Sequence, residues 1–254
     1  MMIPYIRRKK LIECMEKQEI VYIADLANET NTSEATIRRD LKSLEDEGII
    51  EMLQGGAAKL IVNERVKSTQ ERMDYKKEEK SKLGAYAATL VSNGELIFIG
   101  PGTTENWIIK HLVGKDITVV TNGIIHLEKL LNFGIPATLI GGRIDRKNWF
   151  ASCETAIDQI KNMNFDKCFL GGLGISIKNG VSTSTSSLAA FNNEIMNRSK
   201  KKILLVDSSK FKKVARYTFA SMKDFDRILC IGDVYSEFES MENITIIEPF
   251  NEED

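Results

Sequence analysis

Apolar side chains recur at helical spacing in the first sixty residues, and this pattern predicts a small module of three helices followed by a strand. The apolar face of the first helix is formed by Ile6, Leu11, Ile12 and Met15, and the cations at 7–10 surround it. A recurrence every three to four residues is that of a helix with one buried side.

The next two helices follow closely along the chain. A β-like stretch at 20–22 leads into a second helix predicted over 23–29. Thr32 or Ser33 can then cap a third helix by accepting a hydrogen bond from a backbone N–H of its first turn. We expect this helix to run to about position 47, where Gly48 can end it in a left-handed conformation.

The third helix combines a buried face with a cationic face. Ile37, Leu41 and Leu44 recur at i, i+4 and i+7 and form an apolar stripe. On other faces of the helix, Arg side chains can bridge guanine or phosphate, and hydroxyl groups can contact phosphates or base edges. The residues of this helix predicted to contact DNA are Ser33, Ala35, Thr36, Arg38, Arg39 and Lys42.

A strand over 49–54 and a tight turn at Gly55-Gly56 come next, and a return strand would complete a wing beside the helices. The wing adds Gln54, Gly55 and Gly56 to the predicted DNA contacts. The alternative is an amphipathic helix with a solvated charged face. Charge does not decide between them, because residues 1–60 hold nine Lys/Arg and eleven Asp/Glu.

A longer motif distinguishes the two interpretations. The run Thr36-Ile37-Arg38-Arg39-Asp40-Leu41, followed by Leu44-Glu45, Gly48 and Gly55-Gly56-Ala57, resembles the signature of the DeoR family of bacterial repressors. In that family a histidine usually precedes the Gly-Gly-Ala, whereas Gln54 stands here, a departure that bears on a wing contact and not on the fold. The resemblance implies a winged helix-turn-helix domain over 1–58 whose partner is double-stranded operator DNA.

The rest of the chain alternates between strand-like and helical segments, which predicts a parallel-sheet α/β domain over 75–254 after a mixed-charge linker over 59–74. The predicted strands are 96–99, 117–120, 137–140, 167–170, 203–206 and 227–230. The predicted helices between them are 105–112, 124–131, 155–162 and 188–198.

Small and hydroxyl-bearing residues follow most of the predicted strands. Ligands of open parallel sheets bind beyond the carboxyl ends of the strands, so these residues predict a binding site. Glycines let backbone N–H groups approach an anion, and a helix dipole behind the loop would assist. The residues predicted to bind an effector are Gly102, Thr103, Thr104, Thr121, Asn122, Gly141, Gly142, Thr183, Asp207 and Lys210.

This set fits a phosphorylated, polyhydroxylated ligand, with backbone amides and Lys210 for the phosphate and with Asn122 and Asp207 for hydroxyls. Each part also has a simpler interpretation. Gly-Thr-Thr before a helix can be only a turn with a cap, and the Ser/Thr-rich run at 181–187 can be a linker or a lid. The cations at 143, 146 and 147 fit a solvated loop better than a ligand contact.

The C-terminal part also resembles the DeoR sensor domain, which shares its fold with ribose-5-phosphate isomerase and binds sugar phosphates. The resemblance is carried by Gly102-Thr103-Thr104, Thr121-Asn122, Gly141-Gly142 and Asp207-Ser208-Ser209-Lys210-Phe211. Gly-Pro-Gly-Thr-Thr and Thr183-Ser184-Thr185 look closest to the lactose phosphotransferase repressors, which implies tagatose 6-phosphate or a related effector. The family's acidic residues near Gly100 and after the Ser/Thr run are missing, which removes a partner for sugar hydroxyls.

Composition limits the remaining classes. A formal net charge of −1 gives no global attraction to nucleic acid, so DNA binding has to come from local clusters. The four cysteines lie far apart and the chain has two histidines, so we predict neither a metal site nor a cofactor. No apolar run approaches the roughly 18 residues of a membrane span, and the basic start does not resemble a signal peptide. The sequence therefore predicts a cytoplasmic protein.

Three functions are weighed: a repressor of carbohydrate-metabolism genes controlled by a sugar phosphate, an isomerase or kinase with a DNA-binding module, and a DNA-binding scaffold. An isomerase needs a positioned general base, and neither Asp207 nor Glu154 has an obvious partner. A kinase needs a phosphate-binding loop with its lysine, which is lacking. Convergent polar strand ends count against a scaffold. The prediction is the repressor, without catalytic residues, acting as a dimer or tetramer.

Overall fold

The chain forms two compact units, residues 1–67 and 68–254. The computed structural model describes residues 3–18, 20–46, 50–60, 69–231, 238 and 241–247. None of the helices within these ranges is long and apolar enough to cross a membrane.

In the first unit, helices pack against a small antiparallel sheet. Its elements are α1 (Pro4–Lys17), β1 (Val21–Tyr22), α2 (Ile23–Thr30), α3 (Glu34–Asp46), β2 (Ile50–Leu53) and β3 (Ala57–Leu60). Strand β3 lies between β1 and β2, and Leu53 pairs with Ala57, so residues 54–56 form the turn of a wing. The predicted winged helix-turn-helix fold is confirmed. Positions 47 and 48, where α3 was expected to end, lie outside the described residues.

The apolar face predicted for α1 is wrong at its N-terminal end. Ile6 is 51% exposed, whereas Arg7, which was expected among the surrounding cations, is buried. Leu11 and Met15 do enter the core, together with the stripe of α3. Arg7 turns inward because Asp40 of α3 offers it a carboxylate there.

The second unit contains the larger sheet. Its helices are α4 (Thr69–Asp74), α5 (Lys77–Thr89), α6 (Leu127–Asn132), α7 (Glu154–Ile160) and α8 (Ser186–Asn197). Its strands are β4 (Leu96–Ile99), β5 (Thr118–Thr121), β6 (Ala137–Leu139), β7 (Ile144–Asp145), β8 (Phe150–Ala151), β9 (Phe165–Gly171), β10 (Gly174–Ser176), β11 (Gly180–Thr183), β12 (Ser199–Asp207), β13 (Tyr217–Ala220), β14 (Arg227–Ile231) and β15 (Ile244–Ile247).

Seven of these strands form one parallel sheet in the order β15-β14-β12-β9-β4-β5-β6. Alternate residues of a strand point to opposite faces, so Phe98 and Ile99 of β4 enter different hydrophobic clusters. The predicted α/β class and the six predicted strands are confirmed. The seventh strand, β15, was not predicted, nor was the small antiparallel sheet β10-β11-β13.

Two predicted helices differ in kind. The segment 105–112 forms two 3-10 turns, Glu105–Trp107 and Ile109–His111, and the segment 124–131 begins with a 3-10 turn before α6. Residues 105–112 are rich in Asn, Trp, Ile and His, which favour an α-helix less than Ala, Leu or Glu do. The helix dipole expected behind the Gly-Thr-Thr loop is therefore not present, because a three-residue turn follows that loop.

Part of the predicted linker 59–74 has regular structure. Lys59 and Leu60 end β3, and 69–74 form α4, whose first residue donates its backbone N–H to the carbonyl of Lys147 at 3.3 Å. Residues 61–68 lie outside the described part of the chain. The domain boundaries 1–58, 59–74 and 75–254 remain a prediction.

Candidate functional sites

The exposed face of α3 carries the cations predicted to contact DNA. Ile37, Leu41 and Leu44 are buried, as is Asp40. Arg38 lies 3.4 Å from Glu34, and both side chains are more than half exposed. Lys42 contacts Glu45 and Asp46 at 3.1 and 3.2 Å. These surface pairs are weak in water, so a phosphate can replace the carboxylates.

Arg39 differs from its neighbours on α3. It is exposed, and among the described residues it makes no hydrogen bond or ion pair. Ser33 and Thr36 are close together at the start of the helix, with 3.0 Å between their hydroxyl oxygens. Ala35 is also exposed. The six predicted helix contacts are thus accessible to solvent, Thr36 being the least exposed.

The wing is tied to α3 through one carboxylate. Glu45 accepts a hydrogen bond from the backbone N–H of Met52 in β2 at 3.2 Å. Gly55 and Gly56 have φ of +80° and +74°, a conformation that favours glycine. Gln54 is exposed at the start of this turn. These three residues stay predicted DNA contacts, since no bound nucleic acid tests them.

The Arg-Arg-Asp-Leu motif also has a structural part that the sequence did not reveal. Asp40 accepts hydrogen bonds from Nε and Nη2 of Arg7, the latter at 3.3 Å, and Arg8 lies 3.9 Å away. The hydrogen bond to Asp40 raises the pKa of Arg7. Asp40 therefore holds α1 against α3 and is not available to a ligand.

In the second unit a cavity of about 670 Å³, part of it open to solvent, lies at the carboxyl ends of the central strands. Its lining includes five of the ten residues predicted to bind an effector, namely Gly102, Thr103, Thr104, Thr183 and Lys210. Both threonines of the Gly-Thr-Thr loop are buried. This cavity is the candidate effector site.

The other five predicted residues do not line the cavity, and for four of them strand order is the reason. The cavity lies at the ends of the adjacent strands β12, β9 and β4. Thr121 and Asn122 follow β5, one strand further out, and Gly141 and Gly142 follow the edge strand β6. The edge of the sheet formed by all these strand ends is longer than one small ligand, so a single ligand cannot contact all of them.

Most of those outlying residues have structural contacts instead. The hydroxyl of Thr121 donates to the carbonyl of Ile99 at 2.7 Å, and the amide of Asn122 donates to the carbonyl of Ala151 at 2.9 Å. The backbone of Gly141 is hydrogen-bonded to the side chain of Gln159. At Gly142, with φ of +152°, a Cβ would lie 2.9 Å from Sγ of Cys153.

Asp207 is fully buried at the end of β12 and accepts hydrogen bonds from the backbone and hydroxyl of Ser209 through Oδ1. Its Oδ2 has no hydrogen-bond partner among the described residues. Glu79 of α5 accepts from the backbone N–H of Ser208 at 3.3 Å. These contacts shape the turn that brings Lys210 to the cavity.

The Ser/Thr-rich run is neither a linker nor a lid. Residues 180–183 form β11, and Thr185 caps α8 by accepting from the N–H of Leu188 at 3.2 Å. The hydroxyls of Ser187 and Ser152 are 3.0 Å apart. The run therefore forms an ordered wall of the cavity at Thr183 and Ser184.

Several polar residues of the cavity were missed by sequence reasoning. Arg72, Glu105, Asn148 and Asn192 all line it. Arg72 donates to Asn148 at 3.0 Å, although the two are far apart in sequence. Arg72 fell in the predicted linker and Glu105 in a predicted helix, and neither was among the predicted effector contacts. Only the tertiary fold brings them together.

Burial changes the protonation of this region. It raises the pKa of Glu105 to about 7 and lowers to about 8 the pKa of Lys80, which donates to the carbonyl of Arg72. Burial also lowers the pKa of Arg72 and that of His126, the latter to about 4. Arg72, Lys80 and Lys210 each act electrostatically on Glu105 and oppose its shift. The cavity is thus a cationic site with one buried acid.

Within the described ranges no group of three His, Cys, Asp or Glu side chains could hold a metal ion. The cavity instead combines fixed cations, hydroxyls and backbone amides, which is chemistry suited to binding an anion. A helix-turn-helix unit with a wing, in a chain that also carries an α/β unit with such a cavity, defines the class as a DNA-binding regulator with a sensor domain.

Comparisons with known proteins agree with this class. The sequence matches the family described as the DeoR-like helix-turn-helix domain over residues 7–61 and the DeoR C terminal sensor domain over residues 75–230. The chain belongs to the DeoR family of transcriptional regulators. It is accordingly a regulator and not an isomerase or a kinase.

Individual relatives are similar along most of their length. An uncharacterized HTH-type transcriptional regulator FruR of Bacillus subtilis is 33% identical over 219 residues, covering 86% of this chain and 87% of the relative. A lactose phosphotransferase system repressor of Staphylococcus epidermidis is 27% identical over 247 residues, covering 94% and 96%. Among solved structures, a ribose 5-phosphate isomerase A of Methanocaldococcus jannaschii covers 53% of this chain and 54% of its own at 16% identity, with a TM-score of 0.40.

Proposed function

We propose that this protein is a cytoplasmic repressor of carbohydrate-metabolism genes and that a phosphorylated sugar bound in the cavity releases it from operator DNA. The observation that carries the proposal is the lining of that cavity. Arg72 and Lys210 supply positive charge, while Thr103, Thr104 and Thr183 supply hydroxyls, around a cavity at the carboxyl ends of the adjacent parallel strands β12, β9 and β4. This position is where open α/β sheets bind ligands.

The phosphate fits best on the cationic side of the cavity. Charge-assisted hydrogen bonds from Arg and Lys to a phosphate are short and strong, and Arg can make two at once. The loop at 101–104 adds threonine hydroxyls and backbone amides at glycine, which lets an anion approach closely. The cavity is partly open to solvent, which gives a sugar phosphate access to these groups.

For the DNA-binding side we propose the predicted arrangement. A dimer or tetramer places two copies of α3 on repeated half-sites, with Arg38, Arg39 and Lys42 reading bases and phosphates. The effector can only act if it binds the DNA-competent and DNA-incompetent arrangements with different affinity. Repression with induction by the effector follows the family resemblance and the repressors among the relatives.

The test is an electrophoretic mobility shift assay with DNA from upstream of the protein's own gene. The assay is repeated with tagatose 6-phosphate, fructose 6-phosphate, glucose 6-phosphate, ribose 5-phosphate and inorganic phosphate. We expect a shifted band that at least one sugar phosphate abolishes while inorganic phosphate does not. Thermal melting of the protein with the same panel gives a second readout, since a ligand of the native state raises its stability.

Two variants test the division of function between the units, with effector binding in the second unit and DNA binding in the first. Lys210→Ala should weaken release by the sugar phosphate and leave operator affinity unchanged, and Lys178→Ala, an exposed lysine of the same unit, is its control. Loss of operator binding in folded Lys210→Ala protein would contradict this division. A sugar phosphate panel that neither stabilises the protein nor releases DNA would refute the proposed effector class.

A further inference from the structure

The floor of the cavity holds a carboxyl group for which the chain leaves space at three glycines. A Cβ on Gly102 would lie 2.0 Å from Oε2 of Glu105, and a Cβ on Gly171 would lie 2.6 Å from Oε1. A Cβ on Gly100 would be 3.4 Å from the same Oε1. Glycines from two adjacent strand ends, those of β4 and β9, thus surround one carboxyl group.

This carboxyl group lacks a hydrogen-bond donor from another residue. Glu105 is 2% exposed, yet among the described residues only its own backbone N–H is found bonded to it. A buried carboxyl with so few donors is costly, so such groups in folded proteins are normally satisfied by a ligand, a water or a neighbour. Glu105 lines the cavity, so a bound ligand can supply the donors.

A structural role for Glu105 as counter-ion of the nearby cations is not supported by their contacts. Arg72 donates to Asn148 and to Thr69, at 3.0 and 3.2 Å. The ammonium group of Lys80 donates to the carbonyl of Arg72. Both cations act on Glu105 through space, and their hydrogen bonds go elsewhere.

A second acceptor in the same cavity is also unsatisfied. Asn192 of α8 lines the cavity and is 3% exposed, and its Oδ1 has no partner among the described residues. An acceptor without a partner and a carboxyl with no donor from another described residue, both in one cavity, call for a ligand that presents several O–H or N–H donors. Positive charge at Arg72 and Lys210 calls for an anion on the same ligand.

We infer that Glu105 determines the specificity of the effector site by accepting hydrogen bonds from hydroxyl groups of the ligand, with Asn192 as the second acceptor. The inference rests on the proposed function and deepens it. It names the ligand class as phosphate esters of neutral polyols, in contrast to phosphorylated sugar acids. A carboxylate on the ligand would find no donor at the ionised Glu105 and would be repelled by it.

Glu105 also supplies the acceptor that the sequence pattern lacked. At the family's acidic positions near Gly100 and after the Ser/Thr run, this chain has no acidic residue. The 3-10 turn that starts at Glu105 directs its carboxyl back over Gly102, within the same cavity. Glu105, which follows the loop at 101–104, thus provides the acceptor.

The test compares Glu105→Gln with the full-length wild-type protein by isothermal titration calorimetry. The titrants are the sugar phosphate that binds wild type most tightly in the panel above, inorganic phosphate, and 6-phosphogluconate as a phosphorylated sugar acid. At pH 8, above the pKa of about 7 of the buried Glu105 carboxyl, we expect Glu105→Gln to lose about 10-fold or more in sugar phosphate affinity, the range for a hydrogen bond to a charged group. Affinity for inorganic phosphate should stay the same. The ratio of sugar phosphate affinity to 6-phosphogluconate affinity should become smaller than in wild type.

Glu154→Gln is the matched control, because Glu154 is an exposed carboxylate of the same unit outside the cavity lining. Glu105→Asp keeps the charge and shortens its reach, so it should also lose sugar phosphate affinity. Wild-type sugar phosphate affinity in both Glu105 variants overturns the inference, as does an equal loss for inorganic phosphate. If wild type itself binds no sugar phosphate, the proposed function fails first.

Discussion

The buried contact between Arg7 and Asp40 offers the sharpest test of how the DNA-binding unit is held together. Asp40 is 6% exposed and Arg7 is 7% exposed, and the pair joins α1 to α3. Replacing Asp40 by Asn keeps the shape of the side chain and removes its charge. The covered Arg7 would then lose the carboxylate that accepts hydrogen bonds from its Nε and Nη2, which is the costly part of the change.

The expected size follows from this geometry. Removing one partner of a buried ion pair costs roughly 3–5 kcal/mol. We take the lower end, about 3 kcal/mol, because Arg8 beside the pair has a side chain that is 36% exposed and admits water. A domain of about sixty residues has roughly 3–9 kcal/mol of stability in total, so Asp40→Asn should leave the unit close to unfolding.

Hydrogen exchange measured by mass spectrometry on the full-length protein separates the two units. Both tryptophans, at 107 and 149, lie in the second unit, so fluorescence would not report on the first. Exchange of peptides from α1 and α3 should accelerate about 100-fold in Asp40→Asn, the factor that corresponds to about 3 kcal/mol. Peptides of the large sheet should be unaffected, and operator affinity should fall with the folded fraction.

The control is Glu34→Gln on the same helix, where Glu34 and Arg38 form an exposed pair. An exposed pair contributes about 0.5 kcal/mol or less, so exchange should change little. The double variant Arg7→Met and Asp40→Leu should recover protection against hydrogen exchange, because apolar residues can replace a buried ion pair. The reasoning is refuted if Asp40→Asn loses no more protection than Glu34→Gln.

Three further changes test other parts of the molecule. Gly84→Ala should destabilise the second unit by roughly 1–3 kcal/mol in urea unfolding, because a Cβ there would lie 2.5 Å from the backbone carbonyl carbon of Trp107. The raised pKa of Glu105, about 7 against 4.5 in the unfolded chain, means that its folded form holds a proton more tightly. Its contribution to stability is therefore full below about pH 4.5 and is lost as pH rises to about 7. The free energy of unfolding of wild type, relative to that of Glu105→Gln, should fall across that window by a few kcal/mol at most. Arg39→Ala should weaken operator binding about tenfold in the mobility shift assay and flatten its salt dependence.

Each of these has its own control. Gly141→Ala meets no atom within 4 Å and should leave stability within about 0.5 kcal/mol, so equal loss in both variants would contradict the packing argument. If the stability difference between wild type and Glu105→Gln does not change with pH, Glu105 is ionised in the folded protein. Arg143→Ala removes an exposed cation from the other unit, and an operator affinity reduced as much as in Arg39→Ala would point to net charge instead of a specific contact.

Local patterns predicted the elements well where burial is periodic. The stripe of Ile37, Leu41 and Leu44 repeats at helical spacing and is buried as expected, and the apolar runs of the central strands β4, β9 and β12 are buried too. The same reasoning failed for Arg7, which stands in a run of four cations and is distinguished from them only by facing Asp40, thirty-three positions away. A contact of that separation leaves no local signal.

The effector site was predicted in part for a related reason. Residues after five strands looked alike in composition, and five of the ten candidates do line the cavity. Which strands are neighbours depends on crossover connections, and the order β12-β9-β4 is not the order of the chain. Thr121 and Gly141 belong to equally polar strand ends that lie further along the sheet edge.

The sequence by itself determined the class of this protein, because its recognition helix, its wing glycines and its Gly-Thr-Thr loop are contiguous motifs whose chemistry is local. Only the tertiary structure decided which charges are buried and which polar groups share a cavity. Arg72 from a predicted linker, Glu105 from a predicted helix and Asn192 from α8 meet in one cavity, since folding brings together segments that are far apart in the chain. Burial then gives these ordinary side chains their unusual energetics, because removal from water makes an unpaired charge or acceptor costly.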